Sequence, residues 1–300
     1  AHARAHDSGR PSVIMAAVST PARAPNERPI AVFDSGVGGL TVLQELLVEL
    51  PHEDFVYLGD TARFPYGERS PAELEHFALE IGELLLARQA KLLVVACNAA
   101  SASALGALRE RMLSTTLGVH VTGVIEPESR LAANASVNRR IGLLATTATV
   151  RSEAYVRALA VHAPDVELVS VACPDLAPII QQGFPFDRRV VETVRGYCAP
   201  LRDAGVDTVI LGCTHYPLIA PMLQRMLGPE VKLITSGRSL AIAVARSLEE
   251  SGLGAARPQE GDYRFLCTGD VEAFRTIGSR FLQMPIEQIE HVALPLAEAA

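Results

Sequence analysis

Two cysteines occupy matching places in two similar stretches of this chain. Cys97 follows the apolar run 92–96, and Cys213 follows the apolar run 208–212. A thiolate on one side of a carbon atom can remove its proton, while a thiol on the other side returns one. If both sulfurs face one cavity, the pair can exchange a proton across a single carbon without a covalent intermediate.

Short apolar runs place these cysteines in a repeated α/β pattern. The runs are rich in Val, Ile and Leu and are typical of strands buried on both faces of a parallel sheet. They lie at 30–33, 55–58, 92–96, 119–124, 141–144, 166–171, 208–212 and 231–234. Segments with helical spacing lie between them, including 40–50, 71–86, 101–112 and 217–227.

The two halves have similar internal spacing. Asp34 precedes Cys97 by 63 residues, and Thr146 precedes Cys213 by 67, which indicates an internal duplication. These four residues and Asp60 all follow or end a strand, where open parallel sheets gather their chemistry. We predict an α/β fold with two pseudo-symmetric doubly wound domains, each with a mostly parallel central sheet, and an active site in the cleft between them.

Length and composition agree with two domains, because 300 residues that are 49% hydrophobic can bury two ordinary cores. The first stretch is rich in Ala, Arg, Pro and Ser without periodicity, which is typical of disorder. Its run 13–18 is too short for a secretory signal. The predicted units are a disordered tail at 1–28, a first α/β domain at 29–123 plus 236–294, and a second at 124–235, with 295–300 again a tail.

Composition also limits partners and location. A net charge of −7 without a basic run argues against nucleic acid as a required partner. No stretch approaches the roughly 20 apolar residues of a membrane-spanning helix. Five cysteines without paired spacing do not indicate a disulfide framework, so we predict a cytoplasmic protein.

Two motifs accompany the cysteines. Asp-Ser-Gly-Val-Gly-Gly at 34–39 joins a strand to a helix, so its amides can receive an anion and Asp34 can cap the helix or orient a charged substrate. Its glycine spacing does not fit a dinucleotide fingerprint, and the Lys-Ser/Thr that a P-loop needs is absent. Pro-Tyr-Gly at 65–67 is either a turn whose aromatic ring covers the core or a lid whose Tyr66 and Gly67 contact a carboxylate.

The neighbours of Cys97 and Cys213 favour a chemical role. A buried cysteine is usually a small hydrophobic residue, which we expect of the other three, Cys173, Cys198 and Cys267. Polar residues and a helix start follow each of the first two, and we predict that the helix N-terminus lowers both thiol pKa values. His215 can share or relay the proton of Cys213.

Other uses of the same atoms are open from the residues alone. Zinc can take Cys97, Cys213 and His215 as ligands, although pairs such as Cys-x-x-Cys are missing. A redox disulfide between the two cysteines lacks a nearby resolving thiol. Pyridoxal phosphate needs a lysine, and the two lysines, Lys91 and Lys232, lie at the opposite ends of their strands. If the two thiols exchange a proton across one carbon and so racemise it, that chemistry must therefore be free of cofactor.

The ordered set of motifs resembles the glutamate racemase family. The resemblance runs from about residue 30 to 282 and rests on the motifs at 34–39, 65–67, 96–98 and 212–217. It implies two pseudo-symmetric α/β domains that face each other across the site, no cofactor, and frequent association as a homodimer. It also implies glutamate as the substrate and a supply of D-glutamate for the peptidoglycan of bacterial cell walls.

The resemblance also implies residue roles. Cys97 and Cys213 are the acid/base pair, assisted by Asp34 and His215 respectively, and no residue is a metal ligand. The residues that hold the amino acid are Asp34, Ser35, Tyr66, Gly67, Asn98, Ala99 through its amide, Thr214 and His215, with Thr146, Thr149 and Gln181 as further candidates.

Three positions depart from the family pattern. Ala99 replaces a Thr or Ser, which removes a hydroxyl to the substrate carboxylate and costs about 1–3 kcal/mol of binding unless water takes its place. Gln181 replaces a glutamate, so we predict slower proton abstraction on the Cys213 side than on the Cys97 side. Glu128 replaces a glycine, and the sequence gives no physical account of it. The alternatives are racemisation of aspartate or another small acid, a weakly active homologue with a binding or regulatory role, and a zinc hydrolase.

Overall fold

The computed structural model describes residues 23–115, 118–183 and 187–294. In that part the strands are β1 (Ile30–Asp34), β2 (Phe55–Gly59), β3 (Leu92–Val95), β4 (His120–Gly123), β5 (Arg140–Ala145), β6 (Glu167–Ala172), β7 (Thr208–Gly212), β8 (Lys232–Ile234), β9 (Tyr263–Cys267) and β10 (Ile289–His291). The helices are α1 (Leu40–Glu49), α2 (Pro71–Ala87), α3 (Asn98–Leu113), α4 (Ile125–Ala135), α5 (Thr147–Arg151), α6 (Ala154–His162), α7 (Leu176–Gln181), α8 (Arg188–Asp203), α9 (Ala220–Leu227), α10 (Ser236–Ser251) and α11 (Val271–Leu282).

The strands form two parallel sheets with matching order. The first sheet has the order β10-β9-β2-β1-β3-β4, and the second has the order β6-β5-β7-β8. The stretch β2-β1-β3-β4 therefore has the same arrangement as the whole second sheet, and β9 and β10 extend the edge of the first. This confirms the predicted α/β fold with two similar parallel halves.

The core lies on both faces of the first sheet. Ile30 and Val32 of β1 pack into one hydrophobic cluster, while Ala31 and Phe33 pack into another. Alternate side chains of a strand point to opposite faces, so a strand buried on both needs an unbroken apolar run. The run at 30–33 meets that need.

Strand order brings the predicted chemical residues together in pairs. In each half the first and third strands are neighbours, with Phe33 opposite Val95 and Ala145 opposite Gly212. At this point successive crossovers leave the sheet on opposite sides, which opens a crevice at the carboxyl ends of the strands. Asp34 therefore lies beside Cys97 in one half. By the same geometry Thr146 lies beside Cys213 in the other.

The sheets divide the chain between two units. The first sheet takes strands from 30–123 and 263–291, and the second takes strands from 140–234. Helix α10 packs on α1 of the first unit. We propose that the domain bounds are 29–123 plus 236–294 and 124–235.

The predicted N-terminal tail needs one correction. Arg23 Nη1 lies 3.0 Å from Asp54 Oδ2, and Lys91 Nζ donates to the Asn26 carbonyl at 2.8 Å. Residues 23–28 are therefore bound to the first unit, and the prediction of disorder is wrong for them, because these contacts are with distant residues and leave no local signal. The rest of the predicted tails, 1–22 and 295–300, lies outside the described residues. Within the described ranges, no helix is both long and apolar enough to cross a membrane.

Candidate active site

A small pocket lies between the two halves at the carboxyl ends of their strands. Its space for water-sized molecules is about 30 Å³. Most of the residues predicted from sequence line it, namely Ser35, Tyr66, Gly67, Cys97, Asn98, Ala99, Thr146, Cys213, Thr214 and His215. Asp34, Thr149 and Gln181 are not among the lining residues and lie behind the wall. Phe64 and Pro174, which were not predicted as site residues, also line the pocket.

Cys97 lies at the start of helix α3, as its N-cap residue. The helix begins at Asn98, three residues before the predicted start at 101. Hydrogen bonds from Ala100 and Ser35 favour the thiolate, but burial and the charge of Asp34 outweigh them and raise the pKa of the Cys97 thiol to about 12. The predicted lowering of this pKa is therefore wrong, because desolvation exceeds the effect of the helix terminus.

Cys213 is backed by His215. A single 3-10 turn, Tyr216–Ile219, follows it where an α-helix was predicted, and α9 begins only at Ala220. Burial raises the pKa of the Cys213 thiol well above its usual range, so the predicted lowering is wrong here too. The His215 Nδ1 atom lies 3.9 Å from Cys213 Sγ.

The His215 ring is neutral and has a defined orientation. Its Nε2 lies 2.8 Å from Gln181 Oε1, which can only accept, so Nε2 carries the hydrogen and Nδ1 faces the sulfur as an acceptor. The rings of Phe64 and Phe281 pack at centroid distances of 5.5 and 5.2 Å. Burial lowers the pKa of His215 to about 3.

Asp34 is a buried carboxyl at the end of β1. Its Oδ2 accepts from the Gly36 amide at 2.9 Å, and its Oδ1 accepts from the Thr214 hydroxyl at 3.2 Å. Thr214 belongs to the second half, so this bond joins the two halves. Burial raises the pKa of Asp34 above its ordinary value, although hydrogen bonds from Gly39, Gly36, Thr214 and Ser35 oppose the shift.

The glycine-rich turn at 34–39 donates hydrogen bonds to Asp34 and leaves room for residues of the second half to pack closely against it. The anion that its amides bind is the Asp34 carboxylate itself, so the predicted site for an external anion is wrong. A Cβ on Gly38 would lie 2.4 Å from both His215 Nδ1 and Thr214 Oγ1. Only glycine allows the second half to come this close.

The Pro-Tyr-Gly segment is a turn that covers the core. Tyr66 is buried in one 3-10 turn, Tyr66–Glu68, and its hydroxyl donates to Asp60. Arg63 Nε also donates to Asp60, at 2.6 Å. The Tyr66 hydroxyl is therefore occupied, so the predicted contact of Tyr66 with a substrate carboxylate stays a prediction for its backbone. The backbone of Tyr66 and Gly67 remains at the pocket wall.

Asn98 is connected to a buried carboxyl behind the wall. Its Nδ2 donates to Glu128 Oε2 at 3.2 Å and to the Tyr155 hydroxyl oxygen at 2.8 Å. Ser236 Oγ donates to Glu128 Oε1 at 2.7 Å, and Tyr155 also donates to Glu128. Burial raises the pKa of Glu128 to about 8. Tyr155 and Ser236 could not be predicted as its partners, because they lie far from Asn98 along the chain.

The remaining candidate ligands and thiols lie elsewhere. Among the described residues, no group of three His, Cys, Asp or Glu side chains is placed to hold a metal ion. All five cysteines are free thiols, and the three expected to be plain core residues are buried and do not line the pocket. Lys91 precedes β3 and Lys232 begins β8, so both lie at the predicted ends of their strands.

The fold and the pocket define a class of protein: two similar parallel α/β halves that enclose a pocket with one thiol from each. The sequence profile of the Asp/Glu/hydantoin racemase family matches residues 40–244. A glutamate racemase of Geobacter metallireducens is 43% identical over 267 residues, 89% of this chain and 97% of the relative. One from Listeria monocytogenes is 42% identical over 268 residues, 89% of this chain and 99% of the relative.

Solved structures give the same result. Glutamate racemase isoform RacE1 from Bacillus anthracis has a TM-score of 0.85 at 37% identity, covering 90% of this chain and 99% of that one. The Francisella tularensis glutamate racemase in complex with D-glutamate has a TM-score of 0.82 at 33% identity, covering 89% and 98%. The chain therefore belongs to the glutamate racemases of the Asp/Glu/hydantoin racemase family.

Proposed function

We propose that this protein interconverts L- and D-glutamate by a two-thiol acid/base mechanism without pyridoxal phosphate or metal. The observation that carries the proposal is the placement of Cys97 and Cys213, which line one pocket from different halves. Each thiol has a proton acceptor beside it, Asp34 for Cys97 and His215 for Cys213. Space of about 30 Å³ does not hold glutamate, so we propose that the halves separate to admit it.

Substrate binding supplies the charge that the reaction needs. Burial raises the pKa values of both thiols and so favours their neutral forms. The ammonium group of an amino acid brings a positive charge between them, and a nearby cation favours the thiolate. We propose that Cys97 then passes its proton to Asp34, or Cys213 passes its proton to His215 Nδ1, depending on which enantiomer is bound.

The proton transfers leave the opposite thiol as the acid. One thiolate removes the α-hydrogen on its face, and the other cysteine delivers a proton on the opposite face. Backbone amides at the pocket wall, including those at Gly67, Ala99 and Thr214, and the hydroxyls of Ser35 and Thr146 hold the carboxylates. Thr149 Oγ1 lies 3.0 Å from Thr146 Oγ1 and orients that hydroxyl.

The alternatives differ in their support. The relatives at 42 and 43% identity are glutamate racemases. An aspartate racemase of Picrophilus torridus is only 18% identical with a TM-score of 0.55, so it shares the fold alone. Racemisation of aspartate is therefore not favoured. A binding or regulatory role rests on Ala99 and Gln181, and turnover measurements decide it.

Chiral analysis of glutamate after incubation with EDTA-treated protein is the direct test. We expect each pure enantiomer to give the other, with solvent deuterium entering the α position. Cys97→Ala and Cys213→Ala should each abolish turnover, while Cys198→Ala, at a buried thiol outside the pocket, should retain it. Glutamate that binds without deuterium exchange would support a binding protein, and activity that zinc restores after EDTA would support the zinc alternative.

We also propose a cytoplasmic homodimer that supplies D-glutamate for peptidoglycan. The five free thiols support a reducing compartment. Light scattering of the purified protein tests the dimer, and a monomeric mass would contradict it. Rescue of a bacterial strain that needs D-glutamate for growth tests the cell-wall role. The Cys97→Ala variant is the matched control for that experiment.

A further inference from the structure

We propose that Glu128 is a positioning residue that holds the Asn98 amide with its oxygen toward the substrate. This wall of the pocket then accepts a hydrogen bond from the substrate's ammonium group. The inference rests on the proposed function and concerns how the same site recognises an amino acid. Glu128 itself does not line the pocket, whereas Asn98 does.

The hydrogen bonds behind the wall fix the orientation of the amide. Tyr155 donates its only hydroxyl hydrogen to Glu128, so its oxygen can only accept from Asn98. Asn98 must therefore turn its NH₂ group toward Tyr155, and its second hydrogen goes to Glu128 Oε2. The oxygen lies at the other end of the amide. Asn98 Oδ1 is buried and has no hydrogen-bond partner among the described residues.

The same arrangement is available to the charged and to the neutral Glu128 carboxyl. When ionised, it accepts from Asn98, Tyr155 and Ser236. When neutral, a proton on Oε1 can be donated to Ser236 Oγ, and Oε2 still accepts from the other two. A glutamine has the same shape as the neutral form and can make the same bonds. Glu128→Gln therefore preserves the proposed role.

Removing the acceptor at position 128 releases the amide. The Tyr155 hydrogen becomes free to be donated to Asn98 Oδ1, so the amide can rotate and turn its NH₂ group into the pocket. An NH₂ group facing an ammonium gives two donors and no acceptor. Recognition of the amino group then fails, while recognition of the two carboxylates does not depend on this orientation.

A purely structural role is the competing explanation. Glu128 in α4 joins Asn98 of α3, Tyr155 of α6 and Ser236 of α10, and so holds four helices together. Loosening these helices would weaken the binding of every ligand. A ligand with both carboxylates but no ammonium separates the explanations, and glutarate has this composition at the same chain length.

The test compares KM for glutamate with the inhibition constant of glutarate. We expect Glu128→Ala and Glu128→Met to raise KM for glutamate about 10- to 100-fold, the loss of one hydrogen bond to a charged group, with glutarate inhibition changed less than about twofold. Glu128→Gln should restore glutamate KM to within about threefold of the original protein. Ser236→Ala is the control, because it removes the bond on the side away from Asn98.

Three results would overturn the proposal. These are an unchanged glutamate KM in both acceptor-free variants, equal losses for glutamate and glutarate, and a Glu128→Gln variant as impaired as Glu128→Ala. If Glu128→Ala fails to fold, Glu128→Met, which keeps the side-chain length, decides. If the original protein does not turn over glutamate, the proposed function fails, and calorimetric binding of glutamate and glutarate to the same variants still tests the orientation of Asn98.

Discussion

Replacing Glu128 with glutamine should change how the stability of the fold depends on pH. Burial raises the pKa of this carboxyl from its ordinary 4.5 to about 8. The folded protein then keeps a proton that the unfolded chain releases once the pH exceeds about 4.5. The free energy of unfolding therefore falls as pH rises from about 4.5 to about 8 and becomes constant above that range.

The size of the effect follows from the shift in pKa. One pH unit corresponds to about 1.4 kcal/mol for one proton. Between pH 5 and pH 8 the Glu128 contribution to the free energy of unfolding should therefore fall by about 3–4 kcal/mol. Glu128→Gln cannot titrate and matches the neutral form in shape. The variant should gain that amount relative to the original protein over this interval.

Equilibrium urea unfolding at pH 5, 6, 7 and 8 measures this difference at fixed ionic strength. Titrations of all other groups occur in both proteins and cancel in the comparison. Glu126→Gln, an exposed residue 60% accessible on the same helix, controls for the loss of one negative charge. The carbonyl band of a neutral carboxyl in infrared spectra, absent from Glu128→Gln, gives an independent measure.

A difference that stays constant from pH 5 to pH 8 would refute the reasoning. It would mean that the donors from Asn98, Tyr155 and Ser236 stabilise the carboxylate as fully as water does. Burial would then not control this site. The same conclusion would apply to Asp34, where hydrogen bonds also oppose desolvation.

Three further substitutions test the site. Gly38→Ala places a methyl group 2.4 Å from His215 Nδ1, so kcat should fall about 100-fold with the circular dichroism spectrum retained, and normal kcat would show that the halves need not approach this closely. Gln181→Glu places a carboxylate at the 2.8 Å contact with His215 Nε2 and should raise the pKa of that ring. The two enantiomers have equal free energy, so kcat/KM is the same in both directions. The gain in Gln181→Glu should therefore appear as a higher kcat from one enantiomer at saturation. Two unchanged kcat values would contradict the predicted asymmetry. Ala99→Thr should lower KM for glutamate about 5- to 10-fold by returning a hydroxyl, and an unchanged KM would mean that water already supplies this contact.

Much of the fold could be predicted because buried parallel strands leave a local signature. The run at 30–33 is apolar at every position since β1 is covered on both faces. The similar spacing of the halves predicted the repeated unit. The added strands β9 and β10 were missed, because they belong to no repeat and lie at one edge of the first sheet.

The pocket residues could be predicted where they directly follow a strand. Ser35, Asn98 and Thr214 each lie within three residues of the end of a strand, so the strand determines their position. The partners behind them could not be predicted in this way. Gln181 could be identified only as a departure from a family pattern, and no sequence feature indicated a role for Tyr155. Contacts between separate helices depend on how the halves pack, and no short stretch of sequence records that.

The pKa values of the Cys97 and Cys213 thiols are raised where the sequence predicts that they are lowered, and this difference bears on the mechanism. A helix start is visible in the sequence, whereas the burial that outweighs it exists only once both halves enclose the pocket. A thiol whose pKa rises from 9.0 to about 12 is harder to ionise, but its thiolate is a stronger base toward a weakly acidic carbon. The substrate ammonium that favours the thiolate offsets part of this rise, and each pKa unit that remains favours proton removal by about 1.4 kcal/mol once the thiolate has formed. Under the proposed mechanism, burial makes the ammonium of the substrate the condition for ionising the thiol, so the base forms in this pocket only when there is an amino acid to act on.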